Sequence, residues 1–184
     1  WPRPSDDDGK LQAADDEDAT GGSFSPLSSS SASFSAIPGL PDEALTAAQE
    51  GDLAGVLQYI DHAGGSVDAR EPALRATMLM VAASASRTDV VEALLERGAS
   101  IDLGDGIGST ALIGASFKGT EDVVATLLTA RANVDLQDAA GLSALMVASV
   151  AGSAGVVRLL IGAGASRDLR GPSGQTALAM AERL

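Results

Sequence analysis

Gly108-Ser109-Thr110-Ala111-Leu112-Ile113-Gly114-Ala115-Ser116 returns 33 residues later as Gly141-Leu142-Ser143-Ala144-Leu145-Met146-Val147-Ala148-Ser149. It returns once more as Gly174-Gln175-Thr176-Ala177-Leu178-Ala179-Met180-Ala181, and Thr77-Met78-Leu79-Met80-Val81-Ala82-Ala83 stands in the same phase upstream. The residues that follow keep step. Val90-Val91, Val123-Val124 and Val156-Val157 are 33 apart, as are Leu94-Leu95, Leu127-Leu128 and Leu160-Ile161. So are Ala99, Ala132 and Ala165, and the Asp-Leu pairs at 102, 135 and 168. A fixed period of this length marks a stacked array, in which each unit buries its apolar side on its neighbours. Aromatic residues make up only 3% of the chain. The apolar content comes largely from Ala, Val and Leu, which suit close helix-on-helix packing.

Each unit follows one grammar. A Thr or Ser (Thr77, Thr110, Ser143, Thr176) can cap the first backbone N–H groups of a short helix. Small residues follow on its inner side: Ala82-Ala83, Ala115-Ser116, Ala148-Ser149. A turn leads to a second, more apolar helix, about Glu121 to Ala130 in the middle unit. Gly98 and Gly164 stand where a left-handed residue ends such a helix. Arg131 holds the same place in the third unit, at a modest cost in strain if that backbone shape is kept. Val134 to Gly141 then reads as an extended, hairpin-like connector. A divergent first unit opens at Pro41-Asp42-Glu43, with Pro and acids suited to a first helical turn. It aligns through Ala47-Ala48, Gly51-Asp52, Val56 and Tyr59-Ile60, and reaches Thr77 with two extra residues somewhere from His62 to Ala76.

Residues 1 to about 40 differ. Asp6-Asp7-Asp8 and Asp15-Asp16-Glu17-Asp18 are acidic clusters, and a Ser-rich run follows. Few apolar groups are available to offset the entropy of ordering, so a disordered tail is expected over 1–40. Phe24, Leu27, Phe34 and Ile37 are exceptions that could dock on the array or on a partner.

Composition excludes several function classes. The net charge of −13 disfavours nucleic acid, whose phosphates are bound through Lys and Arg. No stretch approaches the length of a transmembrane helix. The chain has no Cys, hence no disulfide framework and no thiolate chemistry, which fits an intracellular and most simply cytoplasmic protein, with an organelle interior after removal of a targeting peptide as the alternative. With His62 as the only His, a zinc site of the usual ligand set is not expected. The Gly104-Asp105-Gly106-Ile107-Gly108 segment has a Gly-x-Gly rhythm, but it follows no βαβ strand and reads as a turn. A calcium loop beginning near Asp102 would need a bidentate Glu where Ile113 stands. Asp102, Asp135 and Asp168 are placed by the repeat and read as structural. No catalytic residue and no cofactor is expected.

These runs resemble the ankyrin repeat family, whose opening motif is a Gly, one residue, Thr-Pro-Leu-His, and an Ala pair two residues later. The resemblance covers about residues 42 to 184. It implies an all-α solenoid of helix-turn-helix units with a disordered N-terminal tail: a tail over 1–40 and an array over 41–184. The units run approximately 42–72, 73–105, 106–138 and 139–171, with a partial fifth at 172–184. The motif's Pro is replaced by Met78, Ala111, Ala144 and Ala177, and its His by Met80, Ile113, Met146 and Ala179. Without that His the units must cohere more through apolar contact. The last unit lacks a second helix within the sequence. Val156, Val157, Leu160 and Ile161 would therefore lose cover unless the native chain continues or a partner covers that end.

The family likeness further implies non-catalytic protein binding, as an adaptor or scaffold, through the connector tips and the exposed side of the first helices. Carried over residue by residue, that face comprises Ile107, Ser109, Phe117, Lys118, Gln137, Ala140, Leu142, Val150, Arg170 and Gln175. Ala76, Ser84, Ala85 and Ala151 lie at its flanks. Two alternatives remain: an accessory structural subunit of a larger assembly, and a regulatory ankyrin domain of a longer enzyme or channel.

Overall fold

The computed structural model describes residues 40–182. The expected disordered tail, with Phe24, Leu27, Phe34 and Ile37, lies outside them except for Leu40. That residue is buried, and its N–H donates to the Arg70 carbonyl at 3.0 Å. One leucine assigned to the tail by composition thus belongs to the array.

The described residues are helical, in four helix pairs and one further helix. The pairs are α1 (Asp42–Glu50) with α2 (Leu53–Asp61), α3 (Met78–Ser84) with α4 (Thr88–Glu96), α5 (Ala111–Lys118) with α6 (Glu121–Thr129), and α7 (Ala144–Val150) with α8 (Ala154–Gly162). The fifth unit contributes α9 (Ala177–Ala181). The only extended pairings among these residues are isolated antiparallel bridges, Arg70 with Thr77, Gly104 with Thr110 and Gln137 with Ser143.

The capping residues act as their chemistry dictates. Thr77, Thr110, Ser143 and Thr176 each accept the N–H three residues on, from Met80, Ile113, Met146 and Ala179 at 3.3–3.4 Å. Gly98 and Gly164 adopt φ of +80° and +90°, and Arg131 keeps the same left-handed shape at +67°. The two extra residues of the first unit separate into two places. One lies in the exit from α2, where the Gly65 N–H reaches the Tyr59 carbonyl, whereas Ala99 reaches Leu94 after α4. The other lengthens the following tip, which closes from Glu71 to Ala76 instead of Asp105 to Ser109.

The core is a row. Val90, Val91, Val123, Val124 and Val156 are fully buried, as are Leu94, Leu127 and Leu160. Each such side chain contributes about 1.5–3 kcal/mol, against about 1 kcal/mol for a helix cap. The valine and leucine rows therefore outweigh the caps in holding the stack together. Met80, Ile113 and Met146, at the position of the family's His, are buried as well. First helices pack on first helices (α1, α3, α5, α7, α9 in turn) and second on second, and backbones approach more closely in the first row. Ala82, Ala83, Ala115 and Ala148, all fully buried, permit that approach.

Candidate protein-binding face

The connector tips are set by local carboxylates. The Asp105 side chain accepts the N–H groups of Ile107 and Ser109, both at 2.9 Å. Asp138 repeats this with Ala140 at 2.9 Å and Leu142 at 2.8 Å. Gly108 and Gly141, at φ of +78° and +79°, let each three-residue loop close on itself. Neighbouring tips are then stitched: Gly106 N–H donates to the Leu74 carbonyl at 2.7 Å, and Ala139 N–H to the Ile107 carbonyl at 2.8 Å. The next donor in this series would be residue 172, a proline, so the stitching stops there. Other carboxylates cross between units. Asp68 accepts from Ser100 N–H at 2.8 Å, Asp102 from Asn133 N–H at 2.9 Å, and Asp135 from Ser166 N–H at 2.8 Å.

On this rigid frame, Ile107 is 62% exposed at its tip, and Phe117 is 63% and Val150 42% exposed on α5 and α7. Lys118 and Ala140 are also exposed. Ala76, Ser84, Ala85 and Lys118 come together around one shallow depression of about 400 Å³, joined by Gln49, Met80 and Val81. Other residues expected at this face have internal duties. The Gln137 side-chain amide donates to the Gly141 carbonyl at 2.5 Å and across to the Arg170 carbonyl at 2.9 Å. The Arg170 guanidinium donates to the Gly174 carbonyl at 2.7 Å. Ser109 and Gln175 are half-buried, their carbonyls closing tips, and Leu142 is half-buried against the core.

One residue was missed. Leu74 is 69% exposed at the first tip, next to Ile107 in the stitched row. The signal was present, because Leu74 stands 33 residues before Ile107. The lengthened first connector hid it.

Among the described residues, no cluster of His, Cys, Asp or Glu is arranged to hold a metal, and no helix is long and apolar enough to cross a membrane. A family model for ankyrin repeats, in three copies, matches residues 45–138 and 115–183, three quarters of the sequence. The chain belongs to the ankyrin repeat family. No curated protein matches it. Ankyrin repeats are in general protein–protein interaction modules and typically non-catalytic.

Proposed function

We propose that this ankyrin array is a non-catalytic recognition module, an adaptor or scaffold that seats a partner protein on its inner face. The observation that carries this reading is an exposed apolar set, Leu74, Ile107, Phe117 and Val150, held on a frame whose tips are already bonded. Exposed apolar groups in one region favour an interaction site. A frame ordered beforehand loses little entropy on association. Phe117 is the central anchor, since aromatic side chains often dominate interface energies. The reading also places the protein inside the cell, where a chain without Cys loses nothing to a reducing milieu.

The test is a partner captured from the native source and its affinity for Ile107→Ala/Phe117→Ala. Both side chains are exposed, so helical content and thermal unfolding should stay as in the parent. Binding should weaken about tenfold or more. Equal affinity with an intact fold would remove the inner face from consideration.

A further inference from the structure

The depression of about 400 Å³ at α3 has a local cause. Ala76, Ser84 and Ala85 stand where the third unit has Ser109, Phe117 and Lys118, and the fourth Leu142, Val150 and Ala151. Small groups on α3 thus lie between the larger Gln49 of α1 on one side and Lys118 of α5 on the other. Met80, the most buried lining residue, forms the floor. An unbranched Met side chain adapts to whatever lies on it. Asp105 is also at the rim, but its carboxylate is held by the N–H groups of Ile107 and Ser109. The depression has the room and the lining for one large apolar side chain.

Charge is distributed unevenly around it. Helices α4 and α6 carry five acids and no base. Helices α3, α5 and α7 carry one charged residue, Lys118. Arg75, next in sequence to Ala76, adds a second cation. It stands where later units have Gly108, Gly141 and Gly174, and it takes the same left-handed shape at φ of +58°. Glycine would hold that tip without strain, so the fold keeps a guanidinium there at a cost. Backbone strain of this kind gathers where ligands are held. Other bases are engaged within the array. Arg70 and Arg87 donate to the carbonyls of Gly104 and Gln49, and Arg97 to Asp61. Neither Arg75 nor Lys118 forms an ion pair among the described residues.

Resting on the reading that this face seats a partner protein, we propose that the partner's bound segment is acidic as well as apolar. One large apolar side chain enters the depression, and carboxylates beside it meet Arg75 and Lys118. Packed helices lie about 8–10 Å apart, which about three residues of extended chain span. The acids therefore stand within about four residues of the apolar anchor. Two other occupants fit less well. In residues 1–39, Phe24, Leu27, Phe34 and Ile37 have no acid within four residues. A second copy in an isologous contact would set the two cations against themselves.

The probe is a phage-displayed library of short random peptides, panned on the full chain at physiological salt. An acidic protein draws basic peptides non-specifically. Enriched peptides should nevertheless carry a large apolar residue with Asp or Glu within about four positions. One of them, made fluorescent, is titrated by anisotropy. Arg75→Gly should weaken it about tenfold while raising the thermal midpoint, because glycine relieves the left-handed turn. A purely structural role would not separate those two readouts. Lys118→Ala, an exchange already present at Ala85 and Ala151, should weaken it by a similar factor. Ala76→Leu, with Leu142 as its precedent in the repeat, should also weaken it by filling the depression. Circular dichroism checks that each variant is folded. The variant Ile107→Ala/Phe117→Ala distinguishes failure of the acidic segment from failure of the face. Binding lost there but untouched by Arg75→Gly and Lys118→Ala would keep the face and overturn the acidic segment. Enrichment of basic peptides, or no enrichment, would overturn it too. Because the chain has no Cys, Gln49→Cys can carry a single benzophenone at the depression. A photo-crosslink to the acidic peptide supports the proposal, and crosslinks that go instead to residues 1–39 or to a second copy count against it.

Discussion

Ser116 is the one buried side-chain polar atom without a partner among the described residues. Its neighbours in the repeat show two solutions to the same site. Ala83 offers no hydroxyl, and Ser149 turns its hydroxyl onto the Leu145 carbonyl at 2.7 Å. An unpaired buried hydroxyl costs about 1–3 kcal/mol. Ser116→Ala should therefore raise stability by about 1 kcal/mol, read as a higher urea midpoint at unchanged slope. Arg131 is the second residue out of keeping with its position. It holds φ of +67°, where Gly98 and Gly164 do the same without a Cβ. Arg131→Gly should stabilise the array by about 0.5–1 kcal/mol, and a lower thermal midpoint for that variant would show that the guanidinium stem contributes more than the strain costs. Ser86, at φ of +62°, is a poorer choice for the same exchange. Its hydroxyl bonds that of Thr120 in the next unit at 2.6 Å.

Between elements, the second helices are tied by one ion pair at the N-terminal end. Arg97, just after α4, makes a fork onto Asp61 at the end of α2, with bonds of 3.2 and 3.0 Å. The hydrogen bond from Arg97 is the main reason the Asp61 carboxyl titrates below its ordinary value. The same bond raises Arg97, so the guanidinium stays charged throughout. A carboxyl lowered in the folded state adds stability above its unfolded pKa of about 3.9, and that contribution is lost as pH falls through the folded value. The parent should therefore be more stable than Asp61→Asn at pH 6, with the gap closing as the pH drops below about 4. Urea midpoints of both proteins across this range check it; a gap that persists into strong acid would assign the effect to packing. High salt should also narrow the gap, because the pair is near the surface.

Over the whole molecule, stability is close to a sum of unit and interface terms, and the sequence displays those terms unequally. The caps at Thr77, Thr110, Ser143 and Thr176 could be read directly because they act within four residues of chain. The same holds for the left-handed turns at Gly98, Arg131 and Gly164. The Val and Leu rows were legible because burial repeats with the period. What joins one unit to the next was harder to read. Gln137 was expected to meet a partner, yet its amide spans to the Arg170 carbonyl, a contact fixed only when two units stack. Asp102 and Asp135 were anticipated as structural, but not that each accepts a backbone N–H from the following unit, and Asp68, which does the same, was not anticipated at all. Leu40 was obscured by its Ser-rich surroundings, and Leu74 by an added residue in its connector.

The tips carry one further consequence. Along 106–109 and 139–142 every backbone N–H already has an acceptor, from a neighbouring tip, an aspartate or the turn itself. An incoming strand finds no donors there and cannot extend the scaffold by main-chain pairing. On the proposed reading, selectivity at this edge is written in replaceable side groups such as those at 74, 107 and 140. Such a vocabulary can be rewritten for a new target while the underlying backbone stays as it is.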